Sequence, residues 1–326
     1  MPNKTITKNL LIVIFSACVS ALSSCGHGPV SGGKPPAFDG ESSAYTEPRI
    51  DALIESEDIV ESSGIAASKC QQGVLWTHND SGDDAYLFAT DTKGKSLGTW
   101  KVQNAANKDW EDIAAFKDET GKCFLFIGDI GNRRKEPRPD HDIYRVAEPE
   151  IVAGDAGTTK KNPSRTEPAD VITFSYPDGR QDAETLMVHP VTGEIYIVTK
   201  QRNKAAGVYR IKPAFGSPPV KAEKVIDVTV PAIPNGFLTG GDIAPDGKRL
   251  VLCDYFAAYE FVLPDNSADF NDVWKQKPSV INLGNRDQGE AIGYSADGTS
   301  IYATSEGQYS PLIEVRALRT GRFPPK

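Results

Sequence analysis

Histidine, methionine and long apolar runs are scarce in this 326-residue chain, which has four His, two Met and five Cys. The histidines are scattered and no Cys/His pair has ligand spacing, which argues against a structural zinc site. Positive charge is not in excess either. With 36 basic and 44 acidic residues the formal charge is −8, which disfavours a generic nucleic-acid surface. No Gly-x-Ser-x-Gly elbow is present, so nothing marks a serine nucleophile. Gly128-Asp129-Ile130-Gly131-Asn132 is not a phosphate loop, since no helical pattern follows it. What the chain does have is 29 Gly, 23 Pro and short Val/Ile/Tyr/Phe runs between turn signals. That combination predicts many strands and few helices.

The first 48 residues read differently from the rest. Lys4 and Lys8 precede an apolar run from Leu10 to Leu22, too short for the roughly 20 residues of a membrane span, and Leu22-Ser23-Ser24-Cys25 follows. This resembles the lipobox of bacterial lipoproteins, apart from Ser24 where Gly or Ala is usual. The resemblance implies a signal peptide over 1–24, lipidation (palmitate included) at Cys25, and a membrane partner reached through that anchor. It places the chain in the cell envelope, on the outer membrane facing the periplasm; a plain secretory signal is the alternative. Residues 25–48 are rich in Gly, Pro and Ser and read as a flexible tether, leaving 49–326 as the folded domain. In an exported chain Cys70, Cys123 and Cys253 remain. Cys70 and Cys123 flank equivalent hairpins, so a disulfide between them or two separate thiols are both open; Cys253, in Leu250-Val251-Leu252-Cys253, reads as a buried apolar residue.

Five hairpin signatures recur, ending at Gly73, Gly121, Gly193, Gly247 and Gly298, at spacings of 48, 72, 54 and 51. An apolar strand precedes each, a second follows, and a third and fourth come after; the last unit lacks its fourth. The segment Ile50–Ile54 is a spare strand that can supply it. Four-stranded units closed by a terminal strand predict an all-β chain folded as a five-bladed β-propeller, its ring closed from the N-terminus. The 72-residue interval leaves six blades as the alternative; with five, the extra length falls in loops at 131–142 and 154–169. A β-sandwich is the remaining competitor.

In such a ring the start of each first strand and the end of each second strand share one face. Glu111, Glu184 and Glu290 stand at the former position. At the latter, seven or eight residues after the hairpin glycine, come Asp80, Asp129, Lys200, Asp254 and Glu306. Carboxylates gathered on one axis do not ionise together without compensation. A hard divalent cation, Ca²⁺ or Mg²⁺, supplies it, which makes Glu111, Asp129, Glu184, Asp254, Glu290 and Glu306 the metal candidates, with Asn79 as a further oxygen ligand. The competing reading is that these acids cap strand ends blade by blade. Arg133, Arg134 and Lys200 are candidates to hold an anionic ligand group. His78, Asp80 and Lys200 are the only candidates for proton transfer, His78 foremost.

Glu61-Ser62-Ser63-Gly64, Trp76-Thr77-His78-Asn79-Asp80, Asp109-Trp110-Glu111-Asp112, Gly128-Asp129-Ile130-Gly131, Asp182-Ala183-Glu184 and Gln288-Gly289-Glu290 together resemble a group of secreted bacterial propellers. The group is distantly similar to NHL-repeat, gluconolactonase-like and phytase-like propellers, several of which bind Ca²⁺ on the channel axis. Asp242 departs from the small residue expected at its place. The resemblance implies an envelope lipoprotein that binds a small ligand or a protein partner at an acidic, cation-holding face. A metal-dependent hydrolase of phosphoesters or lactones is the alternative, and that link is analogy of fold alone.

Overall fold

The computed structural model describes residues 44–132 and 137–318. The expected signal peptide, the lipidation site Cys25, most of the tether, and Arg133 and Arg134 lie outside the described residues.

Strand β1 (Arg49–Leu53) precedes the first blade, which runs β2 (Ser62–Ala67), β3 (Val74–Asn79), β4 (Tyr86–Asp91) and β5 (Ser96–Gln103). Blade 2 begins with β6 (Trp110–Lys117), β7 (Cys123–Asp129) and β8 (His141–Ala147). The chain then detours through β9 (Ser164–Pro168) before β10 (Asp170–Ser175) completes that blade. Blade 3 is β11 (Ala183–Val188), β12 (Ile195–Thr199), β13 (Ala206–Ile211) and β15 (Glu223–Val228), with β14 (Val220–Lys221) between the last two in sequence. Blade 4 is β16 (Gly240–Ile243), β17 (Arg249–Cys253), β18 (Ala257–Val262) and β19 (Ser279–Asn282). Blade 5 is β20 (Ile292–Tyr294), β21 (Ser300–Ala303) and β22 (Pro311–Arg316), and β1 is its fourth strand, antiparallel to β22. The all-β ring of five blades closed by an N-terminal strand is therefore the observed architecture.

The hairpin glycines show why the repeat was legible. Gly73, Gly121, Gly193, Gly247 and Gly298 all have φ between +65° and +88°, a region where a Cβ is strained. Two strands were not legible. Residues 154–169, expected as loop, contain β9, which adds in parallel to the outer edge of blade 1, and β14 does the same to blade 2. Both are joined to their sheets by backbone pairing, and β9 is mostly solvent-facing, so no apolar alternation announces it.

Packing begins earlier than residue 49. Tyr45 is 7% exposed, pairs with Ala317, and donates its hydroxyl to Glu260 Oε1 at 2.5 Å. Glu260 also accepts from the Tyr294 hydroxyl at 2.8 Å and from Arg249 at 3.3 Å. The tether expected through Pro48 is thus corrected: from Ala44 the chain is pinned to blades 4 and 5, because a buried carboxylate needs every donor it can gather. Tyr45→Phe should cost about 2 kcal/mol and lower the melting temperature by about 4 °C, read by calorimetry. An unchanged transition would show that the hydroxyl contributes nothing.

Adjacent blades are packed through aromatic layers and tied at the axis by polar side chains. Within blade 1, Trp76 meets Trp100 at 5.0 Å between ring centroids, and His78 meets Trp110 of the next blade at 5.6 Å. On the first strands, Ser63 donates to the Glu111 carbonyl at 2.7 Å and Thr239 to the Gly289 carbonyl at 3.0 Å. Asp112 accepts from the Leu186 N–H at 2.9 Å, and Asp242 from the Tyr294 N–H at 2.9 Å. Asp242 is therefore a tie from blade 4 to blade 5, which accounts for its departure from a small residue.

Cys70 and Cys123 form a disulfide across 53 positions, joining the hairpin of blade 1 to that of blade 2. Cys253 is fully buried, its thiol donating to the Glu290 carbonyl at 3.3 Å. Burial pushes that thiol up to about 11, so it stays protonated.

Candidate functional site

The inner strands of the first three blades share a local irregularity. Register shifts fall at Ser63, Glu111 and Glu184, each an extra residue opposite a regular pair. A bulge of this kind re-aims its side chain without ending the strand. Two of the three positions hold Glu, and Glu290 stands ahead of β20 in blade 5.

The structure brings together part of the expected acidic set. Carboxylate oxygens of Asp80, Asp109 and Glu111 lie within 4.8 Å of one another, so this group could hold a metal ion. Asp80 comes from the end of β3 in blade 1, the other two from the start of β6 in blade 2. Glu111 is 7% exposed, and among the described residues its carboxylate takes no hydrogen bond or ion pair. Burial, then the charges of Asp80, Glu184, Asp109 and Glu290, push it well above the usual carboxylate range. Burial and Glu184 do the same to Glu290.

Glu184 sits against Lys200, whose ammonium is 2.6 Å from one carboxylate oxygen and 2.5 Å from the other. The same ammonium is 3.8 Å from Glu290 and 3.4 Å from the Tyr255 hydroxyl, over the rings of Phe237 at 4.7 Å and Tyr255 at 5.2 Å. Burial raises Glu184 to about 7 even though Lys200 pulls it down. Lys200 itself is held charged by Glu184 and Glu290 against the cost of its burial.

Five expected site residues have other partners. Asp129 is fully buried, its Oδ1 accepting from Arg138 at 2.7 Å and from the Asp109 N–H at 3.0 Å, and through that oxygen it orients a ligand candidate. Asp254 accepts from the Phe256 and Ala257 N–H groups at 2.8 Å and from the Tyr259 hydroxyl at 2.7 Å, closing the loop after β17. The oxygen of Asn79 takes the Val60 and Glu61 N–H groups, and its amide donates to Asp58 and Asp83, which leaves it no lone pair for a ligand. His78 is fully buried with Nδ1 at 2.9 Å from the Asn79 carbonyl, and burial lowers it to about 4. It is a neutral packing residue and not a proton acceptor for a ligand in the channel. Glu306 is partly exposed, bonds Gln288, and adds its charge to that of Glu290.

Two residues escaped the sequence reading. Asp109 lies just ahead of β6, two positions from Glu111, and the bulge at Glu111 breaks the period-two alternation that would have related them. Gly131 had no signal at all. A Cβ built on it would fall onto the carboxylates of Glu111 and Asp109, so only glycine lets the backbone pass beside them. Gly131→Ala should weaken cation binding about tenfold or more by pushing the two carboxylates apart, measured by calorimetric titration. An unaltered affinity would separate Gly131 from the site.

No protein-family profile matches the sequence, and no curated protein sequence matches it. Among solved structures, a luciferin-regenerating enzyme is similar at 9% identity and a TM-score of 0.45, over 83% of this chain and 96% of that one. A gluconolactonase-like protein is similar at 11% identity and a TM-score of 0.40, over 87% of this chain and 98% of that one. At these identities the likeness concerns the fold alone.

Proposed function

We propose that the channel mouth binds one hard divalent cation, Ca²⁺ or Mg²⁺, and that the protein is a ligand- or partner-binding module of the cell envelope. The observation that carries the reading is Glu111: a carboxylate buried without a described partner, beside Asp80 and Asp109, is costly unless a cation joins it. The donor set fits such an ion, being all oxygen with no sulfur or imidazole. Asp80, Asp109 and Glu111 would hold it, and when bound it would offer a Lewis-acidic centre to an oxygen group of a ligand. The envelope address rests on the pattern around Cys25, and the binding role on the withdrawal of His78 into the blade interface.

Titration calorimetry of the protein with CaCl₂, MgCl₂ and MnCl₂ tests the site. Saturable binding of one ion is expected, and no heat with any of the three would sink the reading. Turnover of p-nitrophenyl phosphate or a simple lactone by the cation-loaded protein would replace the binding module with a hydrolase.

A further inference from the structure

The acids of the channel mouth fall into two groups that the ring treats differently. Asp80, Asp109 and Glu111, from blades 1 and 2, have their oxygens gathered within 4.8 Å. Glu184 from blade 3 and Glu290 from blade 5 are instead gathered on an ammonium, at 2.5 and 3.8 Å from their nearest oxygens. Both are deeply buried, their side chains 12% and 6% exposed, and the Lys200 side chain between them is 12% exposed. Blade 4 contributes no acid where blades 2, 3 and 5 have Glu; Thr239 there spends its hydroxyl on the Gly289 carbonyl.

The lysine also breaks the pattern of its own position. At the end of the second strand the other four blades carry Asp80, Asp129, Asp254 and Glu306. Only blade 3 puts a cation there. Its Nζ is surrounded as a bound cation would be: two carboxylates, a phenol oxygen at 3.4 Å, and the faces of Phe237 and Tyr255. Those two rings hold each other edge-on at 5.1 Å, which fixes the wall against which the ammonium rests.

We propose that Lys200 is a built-in counter-ion that occupies a second cation position, between Glu184 and Glu290, and so restricts the channel mouth to a single divalent ion. The idea rests on the cation reading of the Asp80, Asp109 and Glu111 group and adds what determines its stoichiometry. Without a charge at Nζ, Glu184 and Glu290 are two buried carboxylates facing one space, which is the demand that the first group makes of its own ion. A hard divalent cation would meet that demand through oxygen ligands alone. Lys200 is thereby the residue that sets specificity for one ion and leaves Glu184 and Glu290 unavailable to it.

The test is the number of Ca²⁺ ions bound per chain, measured by titration calorimetry and by equilibrium dialysis. The wild type should saturate at one. Lys200→Met, which keeps the aliphatic stem beside the two rings and removes only the charge, should saturate at two. Lys200→Met combined with Glu290→Gln should return to one. Two ions in the wild type, or one in Lys200→Met, would overturn the proposal while leaving the first cation site standing. No ion in the wild type would remove that site and this inference with it. Should Lys200→Met fold poorly, saturating Ca²⁺ is expected to restore its near-ultraviolet circular dichroism, since the ion takes the place of the ammonium. Failure of both Lys200→Met and Lys200→Gln to fold in saturating Ca²⁺ would count against the proposal.

Discussion

Glu111→Gln abolishes most of the thermal stabilisation that a divalent cation confers on the wild type. At a cation concentration about 1,000 times the dissociation constant, linkage gives about 4 kcal/mol, or about 8 °C in melting temperature for a domain of this size. Losing a charged ligand weakens binding by about 100-fold or more, which leaves roughly 3 °C. In the absence of cation the same variant should be at least as stable as the wild type near pH 8, because an amide replaces a buried carboxylate that lacks a described partner. This combination separates a ligand from a structural acid. An equal loss of stability with and without cation would make Glu111 structural, and an undiminished cation response would remove it from the site.

The cation-free protein should also lose stability as pH rises. Glu111, Glu184 and Glu290 all titrate above the unfolded range in the folded state, Glu184 at about 7. A raised folded-state value contributes stability that is full below the unfolded value and disappears as pH climbs through the folded one. His78 and His141 act oppositely: both are lowered to about 4, so their contribution is present above about 6.5 and lost in acid. The window free of that opposition is pH 6.5 to 8.5. Over it Glu184 alone accounts for a loss of about 1 kcal/mol, with Glu111 and Glu290 acting in the same direction. A melting temperature that falls across this window without cation, and falls less steeply with it because the ion takes over Glu111 alone, is the expected profile; a flat profile without cation would contradict it.

Removing the disulfide is expected to have an effect of similar size at a distance from the channel. A link across 53 positions restricts the unfolded chain by about 4 kcal/mol in the loop-closure description. Cys70→Ser with Cys123→Ser should therefore lower the melting temperature by about 8 °C. Wild type treated with a phosphine reductant should move to the same value. Cation affinity should not follow, since the bridge ties hairpins at the far end of β3 and β6 from Asp80 and Glu111. Coincident melting of oxidised and reduced protein would show that the ring holds blades 1 and 2 together without it.

The strands, their grouping by four, the five-fold count and the N-terminal closure were legible because they depend on local signals. A glycine forced to positive φ at each hairpin, and apolar residues on either side of it, mark every blade in one dimension. The acids at the start of three first strands and the end of four second strands were legible for the same reason: they recur within a narrow range of distances from those glycines. Their division of labour was not. Asp80, Asp129 and Asp254 occupy equivalent places in sequence, yet one faces a shared cluster, one is claimed by Arg138, and one closes its own loop. Which of these happens depends on donors that arrive from loops and neighbouring blades. Gly131 beside Glu111, and the Lys200 ammonium between Glu184 and Glu290, are contacts across tens of residues that no period encodes. Local backbone preference thus built the ring from the sequence, while competition among buried polar groups for a limited set of partners was decided only in the folded chain.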